Sequence, residues 1–195
     1  MARPRSISDQ TILKEAYELV MSDGPSKLTF ERLGLKVGLV PAALVRRFKN
    51  KQQLLAEVDK YALEVTNEKV NEAMEQTSSP VEAIIAQFVT ELGFASTLDR
   101  FANGQEFLLM DFREKDLYTN YRGSFEHRHQ QIIELLKKAE AAGELKGVED
   151  SEELARHLEM ILHGAGHVWA MTQDASIEKY ISHHVEFALK SYKNN

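Results

Sequence analysis

Residues 28–55 read Leu28-Thr29-Phe30-Glu31-Arg32-Leu33-Gly34-Leu35-Lys36-Val37-Gly38-Leu39-Val40-Pro41-Ala42-Ala43-Leu44-Val45-Arg46-Arg47-Phe48-Lys49-Asn50-Lys51-Gln52-Gln53-Leu54-Leu55, and this stretch decides the fold. Thr29 suits an N-cap, because its hydroxyl can accept from an orphan backbone N–H. Leu28 and Leu33 then occupy the two positions of a hydrophobic staple. A helix over about Phe30 to Lys36 follows, with Gly38 as the turn residue. Pro41 is a favoured first helical residue, so a second short helix runs from Pro41 to about Phe48. Its inner side carries Leu44, Phe48 and Pro41; Ala42, Ala43, Arg46 and Arg47 lie opposite. Two short helices around a tight glycine turn, the second small and basic on its outer side, have the parts of a helix-turn-helix. Such a helix can enter a major groove about 12 Å wide, where arginine pairs with guanine and alanine meets a thymine methyl.

Helical periodicity continues in both directions. Before this stretch, Ser8 caps a helix from Asp9 to about Ser22, ended by Asp23-Gly24-Pro25. After it, a long helix runs from about Asn50 to Gln76, broken at Ser78-Ser79-Pro80. Further helices are expected over about 80–97, 99–113, 116–142, 151–173 and 176–192. No run alternates as strands do. The expected architecture is all-α, with about nine helices: a three-helix head over residues 1–50 and a helical bundle over residues 51–195.

Net charge is −6, yet it is unevenly placed. Residues 1–60 hold 11 Lys/Arg and 7 Asp/Glu, whereas the remainder holds 13 and 23. A basic head on an acidic body suits a head that meets a polyanion. Arg3 and Arg5 could extend the basic face as a short arm, but a terminus with no role is the slightly favoured alternative. The chain has no cysteine, which excludes disulfides, thiol nucleophiles and Cys-rich zinc sites. No signal-peptide pattern or membrane-length apolar run is present, so a cytoplasmic protein without a membrane partner is expected.

Residues 8–58 closely resemble the TetR family of transcriptional regulators. Thr29, Leu33-Gly34, Gly38, Leu44, Phe48, Lys51 and Leu54-Leu55 fill the signature positions at the family's spacing. The resemblance implies a repressor that leaves a palindromic double-stranded DNA operator when a small-molecule effector binds. It implies phosphate contacts from Thr29 and Lys51, and base-reading positions at Pro41, Ala42, Ala43 and Arg47, with Arg46 beside them. Two residues depart from the pattern. Val40 stands where the family often has Ser or Thr, and Val45 where it usually has Tyr. Neither offers a hydroxyl to cap a helix or hold a phosphate, so Arg46 and Arg47 are candidates for the replacement contacts.

The resemblance also places an effector pocket and a dimer interface in the body. Tyr121, Phe125 and His129 recur at helical spacing, and nearby segments supply Phe88, Leu92, Phe107 and Met110; these, with His163, are the candidate pocket residues. The same aromatics equally suit an ordinary core. A stripe of Leu158, Ile161, Leu162, Ala165, Val168 and Trp169, with Ile177, Ile181, Val185, Phe187 and Leu189 on the last helix, would form a four-helix homodimer interface. Glu159, His163 and His167 repeat every four residues and could seat a metal, but they lack an H-E-x-x-H motif, and no metal or cofactor is expected. With no Gly-rich phosphate loop and no G-x-S-x-G, an enzyme is not expected. A small helical metal-dependent enzyme and a helical interaction protein are the alternatives.

Overall fold

The computed structural model describes residues 7–193; Arg3 and Arg5 lie outside them. Nine α-helices occur among these residues: α1 Asp9–Asp23, α2 Phe30–Val37, α3 Pro41–Phe48, α4 Lys51–Glu75, α5 Pro80–Glu91, α6 Leu98–Asp111, α7 Lys115–Ala141, α8 Ser151–Thr172 and α9 Ile177–Leu189. Short 3₁₀ turns cover Pro25–Lys27 and Lys190–Tyr192. The described residues contain no strand, only an isolated bridge between Leu145 and Lys193. The protein is all-α, with a helix-turn-helix in its N-terminal part.

Side-chain caps set many of the helix starts. Ser8 accepts from the Thr11 N–H, Thr29 from Arg32, Ser79 from Glu82 and Ser176 from Lys179. Asn50 Oδ1 accepts from the Gln53 N–H at 2.9 Å, immediately before α4. Each bond satisfies a donor that the helix itself leaves open. α5 stops at Glu91, six residues short of the sequence expectation. Gly93, a poor helix former, lies in the expected run, and its N–H turns back to the Thr90 carbonyl at 3.1 Å.

The chain packs as two compact units. The first comprises residues up to Val65 with Asp99–Tyr121, so the head as a packed body includes α6 as well as α1–α3. Ile12, Leu28, Leu33 and Leu44 are fully buried in it. Burying each such side chain contributes about 1.5–3 kcal/mol. α6 is fastened to α1 by Arg100 Nη1 on Glu18 Oε2 at 2.9 Å and by Asn103 Nδ2 on the Met21 carbonyl at 2.9 Å. The second unit comprises Thr66–Leu98 and residues from Arg122 onward. There α9 packs against both α5 and α8.

Most of the stripe expected at a subunit interface is core within the chain, whereas two of its members, Val168 and Phe187, are exposed. Leu158, Leu162, Ala165 and Trp169 are buried, as are Ile177, Ile181, Val185 and Leu189. Trp169 Nε1 also donates to the Ala175 carbonyl at 2.9 Å. What remains outside is a second apolar face on α8, with Met160, Val168 and Met171, and Phe187 on α9.

Candidate nucleic-acid interface

The geometry of α2 and α3 follows from two glycines. Gly38 takes φ +69°, and its N–H bonds back to the Gly34 carbonyl, closing α2 with a left-handed cap. Gly34 is required for a different reason. A Cβ there would lie 2.4 Å from the Leu39 carbonyl oxygen, so only a bare backbone lets the turn close. Leu44 and Phe48 then bury the inner side of α3. Ala42, Val45, Arg46 and Arg47 are exposed, whereas Pro41 and Ala43 are half-buried.

Each residue expected to touch DNA has a defined place. Thr29 is exposed, and its hydroxyl is occupied in part by the Arg32 N–H at 3.2 Å. Lys51, half-buried at the start of α4, donates from Nζ to the Ser26 carbonyl at 2.8 Å. One bond leaves an ammonium two further donors. Val40 makes no side-chain cap, as its chemistry requires. Arg46 is exposed and has no partner among the described residues. Arg47 differs: Nη1 donates to the Ile7 carbonyl at 2.9 Å and to Asp9 Oδ1 at 3.0 Å. Its fork ties the C-terminal end of α3 to the start of α1. Sequence reasoning missed this contact, because its partners are 38 and 40 positions away.

Between α3 and α4 the backbone makes a tight reversal. Lys49 holds φ +61° and ψ −58°, and the Asn50 N–H reaches the Phe48 carbonyl at 2.7 Å. That is a γ-turn of the rare positive-φ kind, strained for a side chain bearing a Cβ.

The candidate effector residues divide between the units. Phe107, buried, with Met110 and Tyr121, half-buried, belong to the first. Phe88, Leu92, Phe125, His129 and His163 belong to the second, where a buried polar cluster accompanies them. Arg128 Nε lies 3.2 Å from Glu91 Oε2, and His129 Nδ1 lies 2.9 Å from Glu159 Oε2. Phe125 stacks on His129, with ring centroids 5.9 Å apart. Gln87 is fully buried; its Nε2 donates to Glu91 at 3.1 Å while Oε1 has no partner. Burial raises the Glu91 and Glu159 carboxyls above the ordinary range, against the pull of Arg128 and His129 respectively. The sequence points to His129 and Phe125 as candidates but not to Gln87, Glu91 or Arg128, which carry no motif.

Glu159, His163 and His167 do not converge. Glu159 is buried against His129, while both histidines are exposed. The described residues contain no group of three side chains placed to hold a metal. A separate open concavity of about 400 Å³ is lined by Val89 of α5 and by Glu178, Lys179, Ser182, His183 and Glu186 of α9.

Residues 12–58 match the family described as bacterial regulatory proteins, tetR family. The head thus carries the DNA-binding domain of the tetR family. The match spans α1 from Ile12 onward, α2, α3 and the first turns of α4, so it includes Gly34, Gly38 and the caps at Thr29 and Asn50. Beyond it the fold continues in the same pattern. A tetR-family transcription regulator from Haloarcula marismortui superposes with a TM-score of 0.80 at 19% identity, covering 96% of this chain and 100% of that one. A transcriptional regulator from Saccharomonospora viridis, solved with choline, gives 0.81 at 14% identity, covering 94% and 96%. FadR from Bacillus subtilis, solved with stearoyl-CoA, gives 0.73 at 15%, covering 93% and 98%. No curated protein matches the chain. The domain match and these neighbours give the chain a tetR-type fold with a DNA-binding domain at its head, and no described helix is long and apolar enough to cross a membrane.

Proposed function

We propose that this tetR-family regulator is a homodimeric, non-enzymatic repressor that binds a palindromic operator and leaves it when a small molecule binds the body. The observation that carries the DNA part is the outer face of α3, held open by the buried Leu44 and Phe48 and bearing a free Arg46. Thr29, Pro41, Ala42, Ala43, Arg46, Arg47 and Lys51 are the residues assigned to this face. The buried cluster of Gln87, Glu91, Arg128, His129 and Glu159 supports an effector site, because buried charges and an unpartnered amide oxygen suit a ligand with polar groups. Phe88, Leu92, Phe107, Met110, Tyr121, Phe125 and His163 are the remaining candidates. Relatives of the same fold solved with choline and with stearoyl-CoA are consistent with effector binding.

The outward face of α8 supports the dimer. Met160, Gly164, Val168 and Met171 share one stripe, and a Cβ at Gly164 would meet nothing within 4 Å. Two copies packed about a twofold axis would cover it and present two heads to two half-sites. Equilibrium sedimentation at micromolar concentration tests this; a dimer that Val168→Asp converts to monomer is expected, and a monomeric wild type contradicts it. For the DNA part, affinity for genomic promoter fragments is measured across salt. Specific binding that weakens steeply with salt is expected. A helical interaction protein would show neither.

A further inference from the structure

Two observations on α3 bear on which operator the head selects. Recognition helices of this motif touch base edges mainly through their N-terminal residues. Here that end is Val40, Pro41 and Ala42. Val40 is 68% exposed and Val45, five positions on, is 42% exposed. None of these four side chains carries a hydrogen-bond donor or acceptor. Independently, Arg47 is directed away from the stripe, its Nη1 shared between the Ile7 carbonyl and Asp9 Oδ1. Arg46 is thus the one hydrogen-bonding side chain of the stripe formed by Ala42, Val45 and Arg46. Its guanidinium has no partner among the described residues.

Apolar side chains set against base donors or acceptors would displace the water those groups need, leaving them unsatisfied. The major groove offers one apolar base group, the C5-methyl of thymine. We infer that the head selects half-sites by their thymine methyls, which pack on Val40 and Ala42, with Arg46 making its sole side-chain hydrogen bond to a base. Val40, where a family member would often offer a hydroxyl, is the specificity-determining residue. This rests on the reading of the head as an operator-binding module, and it goes further by stating what chemistry in the operator is read.

Substituting the DNA leaves the fold untouched. The best-bound duplex from a random pool is remade with its thymines replaced singly by deoxyuridine, which keeps base pairing and removes only the methyl. At one or two positions per half-site the full-length dimer should bind about threefold to fivefold more weakly, the scale of exposing one buried methylene. With Val40→Ala, folded by its helical spectrum, the penalty at one of those positions should drop below about twofold. Undiminished binding of every deoxyuridine duplex overturns the inference while leaving operator binding intact. The same holds if the penalties persist unchanged in Val40→Ala. A pool that yields no consensus overturns the inference and the operator reading together.

Discussion

Local bonds hold the head's helix-turn-helix in shape, whereas contacts distant in sequence organise the polar interior of the body. In the head, Ser8, Thr29 and Asn50 each cap a helix within three residues of themselves, and Gly38 closes α2 onto Gly34. In the body, Arg128 meets Glu91 from 37 positions away in the chain, and His129 meets Glu159 across 30. The turn of the head is therefore set by bonds between near neighbours in sequence, while the body holds buried charge that is paired only once its helices pack.

The largest expected effect breaks the body. Arg128→Met leaves Glu91 buried without its cation, at a cost of about 3–5 kcal/mol near pH 8. Urea unfolding should show the deficit shrinking toward pH 4, where Glu91 takes up a proton; a deficit independent of pH would contradict the account. In the head, Gly34→Ala should cost about 1–3 kcal/mol, since the Leu39 carbonyl must move. Gly38→Ala should cost only about 1 kcal/mol, because it meets no atom and pays only for its positive φ. If the two variants unfold at the same urea concentration, the close approach at Gly34 is not what fixes the turn.

Asp59, buried in α4 with an unpartnered Oδ2, sharpens the comparison from the head's side. Burial pushes its carboxyl up to about 6. The unfolded carboxyl ionises near 3.8, so the folded state holds the extra proton between the two values. Stability is then fully present below about pH 4 and is lost as pH rises through about 6. Asp59→Asn removes this loss, and relative to wild type it should gain on the order of 2 kcal/mol between pH 4 and pH 8. Parallel stability curves for the two proteins would show that Asp59 is better solvated than its burial implies. The smallest effect is at Lys49, where glycine relieves the γ-turn; Lys49→Gly should raise stability by about 1 kcal/mol, while Lys49→Ala should not.

Legibility in the sequence followed the same division. Ser8, Thr29, Asn50 and Gly38 announced their roles because cap and turn chemistry acts over three or four residues. The stripe expected at the dimer interface mixes two apolar faces of α8: Val168 lies on the outward one, while most of the rest is core. Periodicity shows that Leu158, Leu162 and Trp169 lie together, but not whether the same chain or a second one covers them; the chain itself does. Gln87, Glu91 and Arg128 could not be assembled, since nothing in their spacing reveals which helices meet. Arg47 was read as free on the outer face because α1 and α3 are brought together only by packing.

Arg46 and Arg47 are adjacent in sequence, yet one is free and one is bound to α1, and the account depends on that difference. The decisive measurement is affinity of Arg46→Ala and Arg47→Ala for an operator selected from random DNA and for its single-base variants. Arg46→Ala should lose about 1–3 kcal/mol and relax preference at one position in each half-site. Arg47→Ala should lower affinity for all variants about equally, and Asp9→Ala should do the same, because both release α3 from α1. Selection of a palindrome with this contrast between the arginines is the predicted result. A pool that enriches no inverted half-sites, or an Arg47→Ala that relaxes one base position while Arg46→Ala does not, would contradict it.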